Sequence, residues 1–254
     1  MCFQSAIYYL REFFFPLGCG GCGEILLSPA DTYYSLCAKC RASFEAVLLF
    51  DKRCDYCGKP LISEEGSCLS CRGNGAIENQ CYSEQLVRLR VLFQYESKFR
   101  SVLGAYKFRK TIALGNFFAG YLEIALDFFQ PETLENAAWV PVPPRPGKVK
   151  KQGWDQIEFL ARRLEYKYKH SGSKKPGLPV CRCLKRLASR SQKELNQKER
   201  ESNLKGRIRC VKKPPETVFL FDDVITTGAT MKTCAAALLE GGAKKVYGVC
   251  LFYN

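Results

Sequence analysis

Val218-Phe219-Leu220-Phe221-Asp222-Asp223-Val224-Ile225-Thr226-Thr227-Gly228-Ala229-Thr230 is the stretch that decides the fold. Its apolar run is short and nearly continuous, as expected of a strand buried on both faces of a parallel sheet. Two adjacent carboxylates, Asp222 and Asp223, stand at its C-terminal end. A Thr/Gly turn follows, then a helix from Met231 to Glu240 closed by Gly241-Gly242. Ligands of open α/β sheets collect outside the carboxyl ends of strands, so the acid pair sits where a ligand would be held.

The turn can cradle a phosphate. Gly228 lets the backbone approach a ligand, and successive N–H groups with the following helix dipole favour an anion. Thr226, Thr227 and Thr230 add hydroxyl donors. The carboxylates would repel that phosphate but can accept hydrogen bonds from the vicinal hydroxyls of a sugar. A phosphate on one side and a diol on the other describe a ribose 5-phosphate. The order of hydrophobic residues, Asp-Asp and Thr-Thr-Gly-x-Thr resembles the 5-phosphoribosyl-1-pyrophosphate (PRPP) motif of type I phosphoribosyltransferases. It is neither a Gly-x4-Gly-Lys-Ser/Thr loop nor a Gly-x-Gly-x-x-Gly fingerprint. An ordinary strand–turn–helix with an acidic tip is the plainer alternative.

The chain has 254 residues, 46% of them hydrophobic, enough for one large domain or two smaller ones. It carries a net charge of +14. Between residues 141 and 213 there are 22 Lys/Arg against 6 Asp/Glu, so the basicity is regional. Such a region suits a polyanionic partner, pyrophosphate or nucleic acid, or else serves as a solvated surface. No apolar run reaches the roughly 18 residues of a membrane span. The N-terminus lacks a basic leader, and Arg11-Glu12 interrupt its apolar stretch; Ile7 to Phe15 reads as a short amphipathic helix.

Fifteen cysteines are many for this length. Eight fall in four Cys-x-x-Cys pairs: Cys19/Cys22, Cys37/Cys40, Cys54/Cys57 and Cys68/Cys71. Fourteen residues separate the first two pairs and ten the last two. Each set can close one four-thiolate zinc site, and the spacing also permits cross-paired ligation. Metal-binding thiols rather than disulfides point to a reducing cytoplasm. Gly after Cys22 and Cys57 suits a tight knuckle whose N–H groups aim at sulfur. Few apolar residues accompany these pairs, so folding of residues 1–80 is expected to depend on metal. The single His170 excludes multi-histidine metal sites.

Residues 81–254 form the remainder, separated by a linker that starts at Gly73-Asn74-Gly75. A strand is expected near Val91, then a basic helix from Ser97 to Lys110 and an apolar helix from Ile112 to Phe129. Ala137 to Val140 reads as a core strand stopped by Pro141-Val142-Pro143-Pro144. A cationic loop (Arg145, Lys148, Lys150, Lys151) leads into a helix from Trp154 to about Lys169. This second strand–loop–helix unit is basic where the first is acidic. Its loop suits pyrophosphate. Residues 188–209 read as a surface helix or as a flap whose cations close over a ligand.

Taken in order, the segments resemble the ComF family of phosphoribosyltransferase-like proteins associated with bacterial competence. The likeness rests on the cysteine pairs, Ala105-Tyr-Lys-Phe-Arg-Lys110, Val140-Pro-Val-Pro143 with Gln152-Gly-Trp-Asp-Gln156, the acid–Thr motif, and Lys198-Glu-Arg-Glu-Ser-Asn-Leu-Lys-Gly206. The family usually has Arg-Gly-Phe-Asn-Gln where this chain has Gln152 to Gln156. That change removes a bidentate phosphate donor and adds the charge of Asp155. The resemblance implies an α/β fold: a type I phosphoribosyltransferase-like parallel sheet flanked by helices, preceded by a small double zinc ribbon. It implies that Asp222 and Asp223 bind ribose hydroxyls while Thr226, Thr227, Gly228, Ala229 and Thr230 bind the 5-phosphate. Mg²⁺ would bridge pyrophosphate and ribose oxygens, and zinc would be structural, with two ions.

Two functions follow as expectations. One is transfer of the phosphoribosyl group to a nitrogen nucleophile, with Asp222 and Asp223 catalytic. The other is handling of single-stranded DNA, with Arg145, Lys148, Lys150, Lys151, Lys107 and Arg109 on phosphates and Phe99, Tyr106, Trp154, Tyr166 and Tyr168 available to stack bases. A protein of the competence machinery is the further partner expected.

Overall fold

The computed structural model describes residues 16–50, 52–54, 61–69, 86–95, 97–170, 177–187 and 207–253. The N-terminal segment, the linker near Gly73, Cys57, Cys71 and the cationic stretch 188–206 lie outside them. Contacts divide the described chain into two compact units, one of residues 16–50 with 95–118, the other of residues 52–94 with 119–253. Cys54 and Cys68 therefore fall in the unit that holds the sheet.

The first unit begins with a knuckle at residues 17–26. Gly18 and Ile25 form an antiparallel bridge, and the Cys19 N–H donates to the Glu24 carbonyl at 2.7 Å. Helix α1 (Pro29–Tyr34) starts as its sequence dictates: Ser28 caps it by accepting from the Asp31 N–H at 3.1 Å, and Pro29 occupies a first-turn position. Helix α2 (Ala38–Phe50) follows. Helix α3 (Ser97–Lys107) and the start of α4 (Leu114–Ala125) supply the rest of the core. Phe44 of α2 packs against Phe99 and Phe117, with ring centroids 4.4 and 5.1 Å apart. Tyr106 meets Phe118 at 5.4 Å. The apolar surface that the cysteine-rich segment lacks in its own sequence is thus supplied by residues 99–118.

The second unit is built on a four-stranded sheet. Its strands are β1 (Arg88–Gln94), β2 (Ala137–Pro141), β5 (Thr217–Ile225) and β6 (Lys245–Tyr253), in the order β1-β6-β5-β2 and all parallel. Between β2 and β5 the chain forms α5 (Lys148–Gln152), α6 (Gln156–His170) and a two-stranded antiparallel ribbon of β3 (Leu184–Arg186) and β4 (Ile208–Cys210). Helix α7 (Ala229–Glu240) joins β5 to β6. The mixed α/β class with helices flanking a parallel sheet is the one expected from sequence.

The central β5 is apolar and buried from Val218 to Phe221 because both its faces are covered. On one face Val218 and Leu220 share a core with Met231, Cys234 and Leu238 of α7. The helix comes close because β6 carries Gly248, where a Cβ would lie 2.6 Å from Leu89 Cδ1 and 3.0 Å from Met231 Cε. On the other face Phe219 lies among Trp139, Phe129 and Tyr247, with centroids 4.9 to 5.7 Å apart. The outer edge of β2 is paired by residues 179–181: the Trp139 N–H donates to the Pro179 carbonyl and the Cys181 N–H to the Trp139 carbonyl, both at 2.8 Å. That short pairing caps a strand edge that would otherwise be open. Among the described residues, no helix is long and apolar enough to cross a membrane.

Candidate functional site

The first two cysteine pairs converge. The Sγ atoms of Cys19, Cys22, Cys37 and Cys40 all lie within 4.8 Å of one another, and Cys22 and Cys37 are 3.7 Å apart. A tetrahedral zinc with bonds of about 2.3 Å places its sulfurs about 3.8 Å apart, so the cluster fits that ion. The knuckle N–H groups aim at sulfur as the Cys-Gly spacing implied: Gly21 and Cys37 both donate to Cys19 Sγ at 3.4 Å. Burial alone would push the Cys19 thiol up, but the backbone N–H groups of Cys22, Cys37 and Gly21 hold it down to about 7. Burial and the neighbouring thiols push Cys40 up. A zinc ion held by the four sulfurs would favour the thiolate form of each.

Gly21 is required by space. A Cβ there would lie 2.9 Å from Cys40 Sγ and 3.2 Å from Val102 Cγ2. Gly21→Ala is expected to displace the Cys40 sulfur and weaken zinc affinity by about tenfold or more, the scale of changes just outside a ligand shell. Competition with a chromogenic chelator measures it. Of the second set, Cys54 and Cys68 are both buried and belong to the same core cluster of the second unit. Their partners Cys57 and Cys71 fall outside the described residues.

The acid pair stands at the carboxyl end of β5. Pairing of β2 with β5 reaches Pro141 opposite Phe221, and the Val142 N–H still donates to the Phe221 carbonyl at 3.1 Å. The β2–β5 ladder ends there, so Asp222 follows the last paired residue of that edge while it remains paired with Cys250 of β6. Strand periodicity sends the two side chains to opposite faces. Asp222 is half-buried on the side of α7 and the β3–β4 ribbon, and its charge helps to raise the already desolvated thiols of Cys234 and Cys250. Asp223 is buried on the side of α6, where its Oδ2 accepts from Gln156 Nε2 at 2.8 Å. The Asp223 N–H donates to Asp222 Oδ1 at 2.8 Å. The turn that follows exposes Thr226 and Thr227, and Gly228 begins α7 with φ of 72°, a conformation that favours glycine.

Gln156 belongs to a network joining the two strand–loop–helix units. Lys148 Nζ donates to Gln156 Oε1 at 2.5 Å and to Asp155 Oδ2 at 2.6 Å. Asp155 Oδ1 accepts from the N–H groups of Ile157 and Glu158 at 3.0 and 2.9 Å, so Asp155 is the N-cap of α6. Its charge is spent on the helix start and on Lys148. The departure from Asn at this position therefore does not leave a free anion in the loop. Asp155→Ala is expected to cost about 2 kcal/mol, from the lost cap and the unpaired Lys148, and Asp155→Asn about half that. The shift of a urea midpoint at constant m-value reports both.

The other sequence-based site residues distribute as follows. Arg145, Lys150 and Lys151 are exposed, whereas Lys148 is engaged with Asp155 and Gln156. Arg109, in the first unit, donates to the Gly20 carbonyl at 3.1 Å. Phe99 and Tyr106 are buried in the aromatic core, so they cannot stack bases; Trp154 is half-buried with its ring 6.4 Å from Phe159. Tyr166 and Tyr168 remain exposed.

Sequence reasoning missed Arg186. It is partly buried on β3, and burial and the charge of Arg145 push its guanidinium down while Asp222 opposes them; Arg207 adds to the repulsion. Asp222 thus faces the charge of Arg186, which Arg145 and Arg207 in turn repel. A three-residue strand beside a polar stretch carries no periodicity that would have singled it out.

A parallel α/β unit with acids at its strand ends, joined to a module of paired thiolate ligands, defines the class. The double zinc ribbon domain family matches residues 10–72. The competence protein ComFC of Streptococcus pneumoniae (strain ATCC BAA-255 / R6) is 25% identical over 215 residues, covering 83% of this chain and 84% of the relative. The chain is thus similar to a ComFC protein along most of its length and carries a double zinc ribbon near its N-terminus.

Proposed function

We propose that the chain is a competence-related, cytoplasmic protein that binds PRPP with Mg²⁺ at the carboxyl end of β5 and handles single-stranded DNA through its basic region. The observation that carries this reading is the acid pair at the end of the β2–β5 ladder, followed directly by the exposed hydroxyl-bearing turn at the start of α7. Asp222 and Asp223 accept hydrogen bonds from the ribose diol, and residues 226–230 hold the 5-phosphate. Gln156 fixes the rotamer of Asp223, which makes it a positioning residue. Arg145, Arg186 and Arg207 offer charge to the pyrophosphate, which Mg²⁺ would further screen. The name of the streptococcal relative supports the competence role.

Titration of zinc-loaded protein with PRPP·Mg²⁺ and with single-stranded DNA, separately and together, tests the reading. Release of pyrophosphate during the same series tells transfer from binding. DNA affinity is expected to fall steeply between 50 and 200 mM salt, in proportion to the phosphates contacted. Salt-insensitive DNA binding, or none at low salt, contradicts the DNA half of the proposal. Failure to bind PRPP contradicts the other half.

A further inference from the structure

Among the described aromatic side chains, Phe108 is the most open to solvent, at 80% exposure. It stands directly after α3, in a loop of the first unit. The loop is anchored at both ends: Tyr106 is buried against Phe118, and Leu114 is buried as well. Between these anchors Phe108 and Ile112 are left outside.

The loop has a defined shape. The Phe108 and Arg109 N–H groups both donate to the Gly104 carbonyl, at 2.9 and 3.4 Å, and the Thr111 N–H donates to the Ala105 carbonyl at 3.0 Å. The Arg109 guanidinium donates to the carbonyls of Gly20 and Ser101 at 3.1 and 3.5 Å. Gly20 lies between Cys19 and Cys22, and a Cβ on it would lie 3.2 Å from Leu114 Cδ1. The zinc knuckle thus holds the loop, and Arg109 is the tie.

The surroundings are cationic. Residues 97–118 contain five Lys/Arg and no Asp/Glu, and Lys107, Arg109 and Lys110 flank the ring in sequence. Lys110 is exposed with φ of 53°, a conformation that ends many helices and that glycine adopts at least cost. Cations at a helix C-terminus complement its dipole, which accounts for charge here but not for an exposed ring beside it. A ring set among cations on a rigid loop is the pattern that grips single strands: the aromatic face stacks a base while the charges follow the backbone.

We propose that Phe108 is a stacking platform for one base of single-stranded DNA, with Lys107 and Lys110 on the neighbouring phosphates. The proposal rests on the DNA-handling reading above and adds to it a base contact on the zinc-bearing unit. Every base has a face to stack, so recognition here is tolerant of sequence, and a duplex, whose bases are already stacked, gains nothing from the ring.

The test titrates the zinc-loaded full chain into fluorescent oligothymidylate and into an abasic strand of equal length and charge, read by anisotropy at fixed salt. Phe108→Ala is expected to weaken oligothymidylate binding by about 5–150-fold, the range of one lost stack, and to leave the abasic strand unaffected. Phe108→Trp is expected to retain the binding. The ring is mostly exposed, so its removal opens no cavity, and an unchanged melting temperature is the control. Lys110→Gly, which suits the local backbone, is expected to lower the slope of log affinity against log salt by about 0.7. Equal weakening on both strands overturns the proposal. So does unchanged oligothymidylate affinity in Phe108→Ala, which would leave the ring to a protein partner. A wild-type chain that binds neither strand at low salt fails earlier, and takes the proposal down with the reading on which it rests.

Discussion

Stripping zinc from the protein, by a strong chelator or by Cys40→Ser, is expected to lower its melting temperature by about 8–16 °C. That range takes about 4 kcal/mol of lost stability at 2–4 °C per kcal/mol for a chain of this size. Zinc-finger peptides gain far more from the ion, roughly 10–16 kcal/mol, because they have little else to hold them. Here Phe44, Phe99, Phe117 and Phe118 already form an aromatic core beside the metal module, so only part of the binding energy is needed for folding. What remains without the ion is four sulfurs within 4.8 Å, with Cys19 ionising near 7 and Cys40 resisting ionisation. Such a cluster holds charge with nothing to neutralise it. Calorimetry before and after chelation reads the effect directly, and an unchanged melting temperature would refute a structural zinc.

The second large effect concerns the acid pair. Asp222→Asn with Asp223→Asn is expected to weaken PRPP binding by about 30–150-fold. Two hydrogen bonds to charged acceptors, worth roughly 1.5–3 kcal/mol each, would become bonds to neutral amides. The fold should survive, since asparagine keeps the shape and an oxygen acceptor for Gln156. Melting temperature therefore serves as the control. The single variants are expected to differ in kind. Asp222→Asn removes a half-buried anion facing Arg186, while Asp223→Asn also loosens the tie that runs through Gln156 to Lys148. Calorimetric titration separates them, and equal affinity in the double variant and the wild type would remove the acids from the site.

Much of this was legible in the chain. The run Val218 to Phe221 announced a buried parallel strand because apolar residues on both faces leave no alternation, and it is one of the two inner strands. The first two cysteine pairs announced their convergence because fourteen residues suffice to bring one pair back to the other. Helix α6 was expected from Trp154, yet Asp155 is its cap; the pattern of Asp followed three residues later by Glu158 was the available signal. The bond between Gln156 and Asp223 joins residues far apart in sequence. No local pattern encodes such a contact, because it depends on β2 and β5 lying side by side. Nor could spacing show that the core around Phe44 would be completed by residues 99–118. A basic amphipathic helix reads alike whether its aromatic face is buried or offered to bases.

Amide hydrogen exchange of the zinc-loaded protein, with and without PRPP·Mg²⁺, tests the sugar-phosphate site most directly. Slowed exchange in peptides spanning residues 222–232, with no comparable change in the same peptides of the double asparagine variant, is the result expected. Saturating ligand that leaves those peptides unprotected, or protects only residues elsewhere, would contradict it.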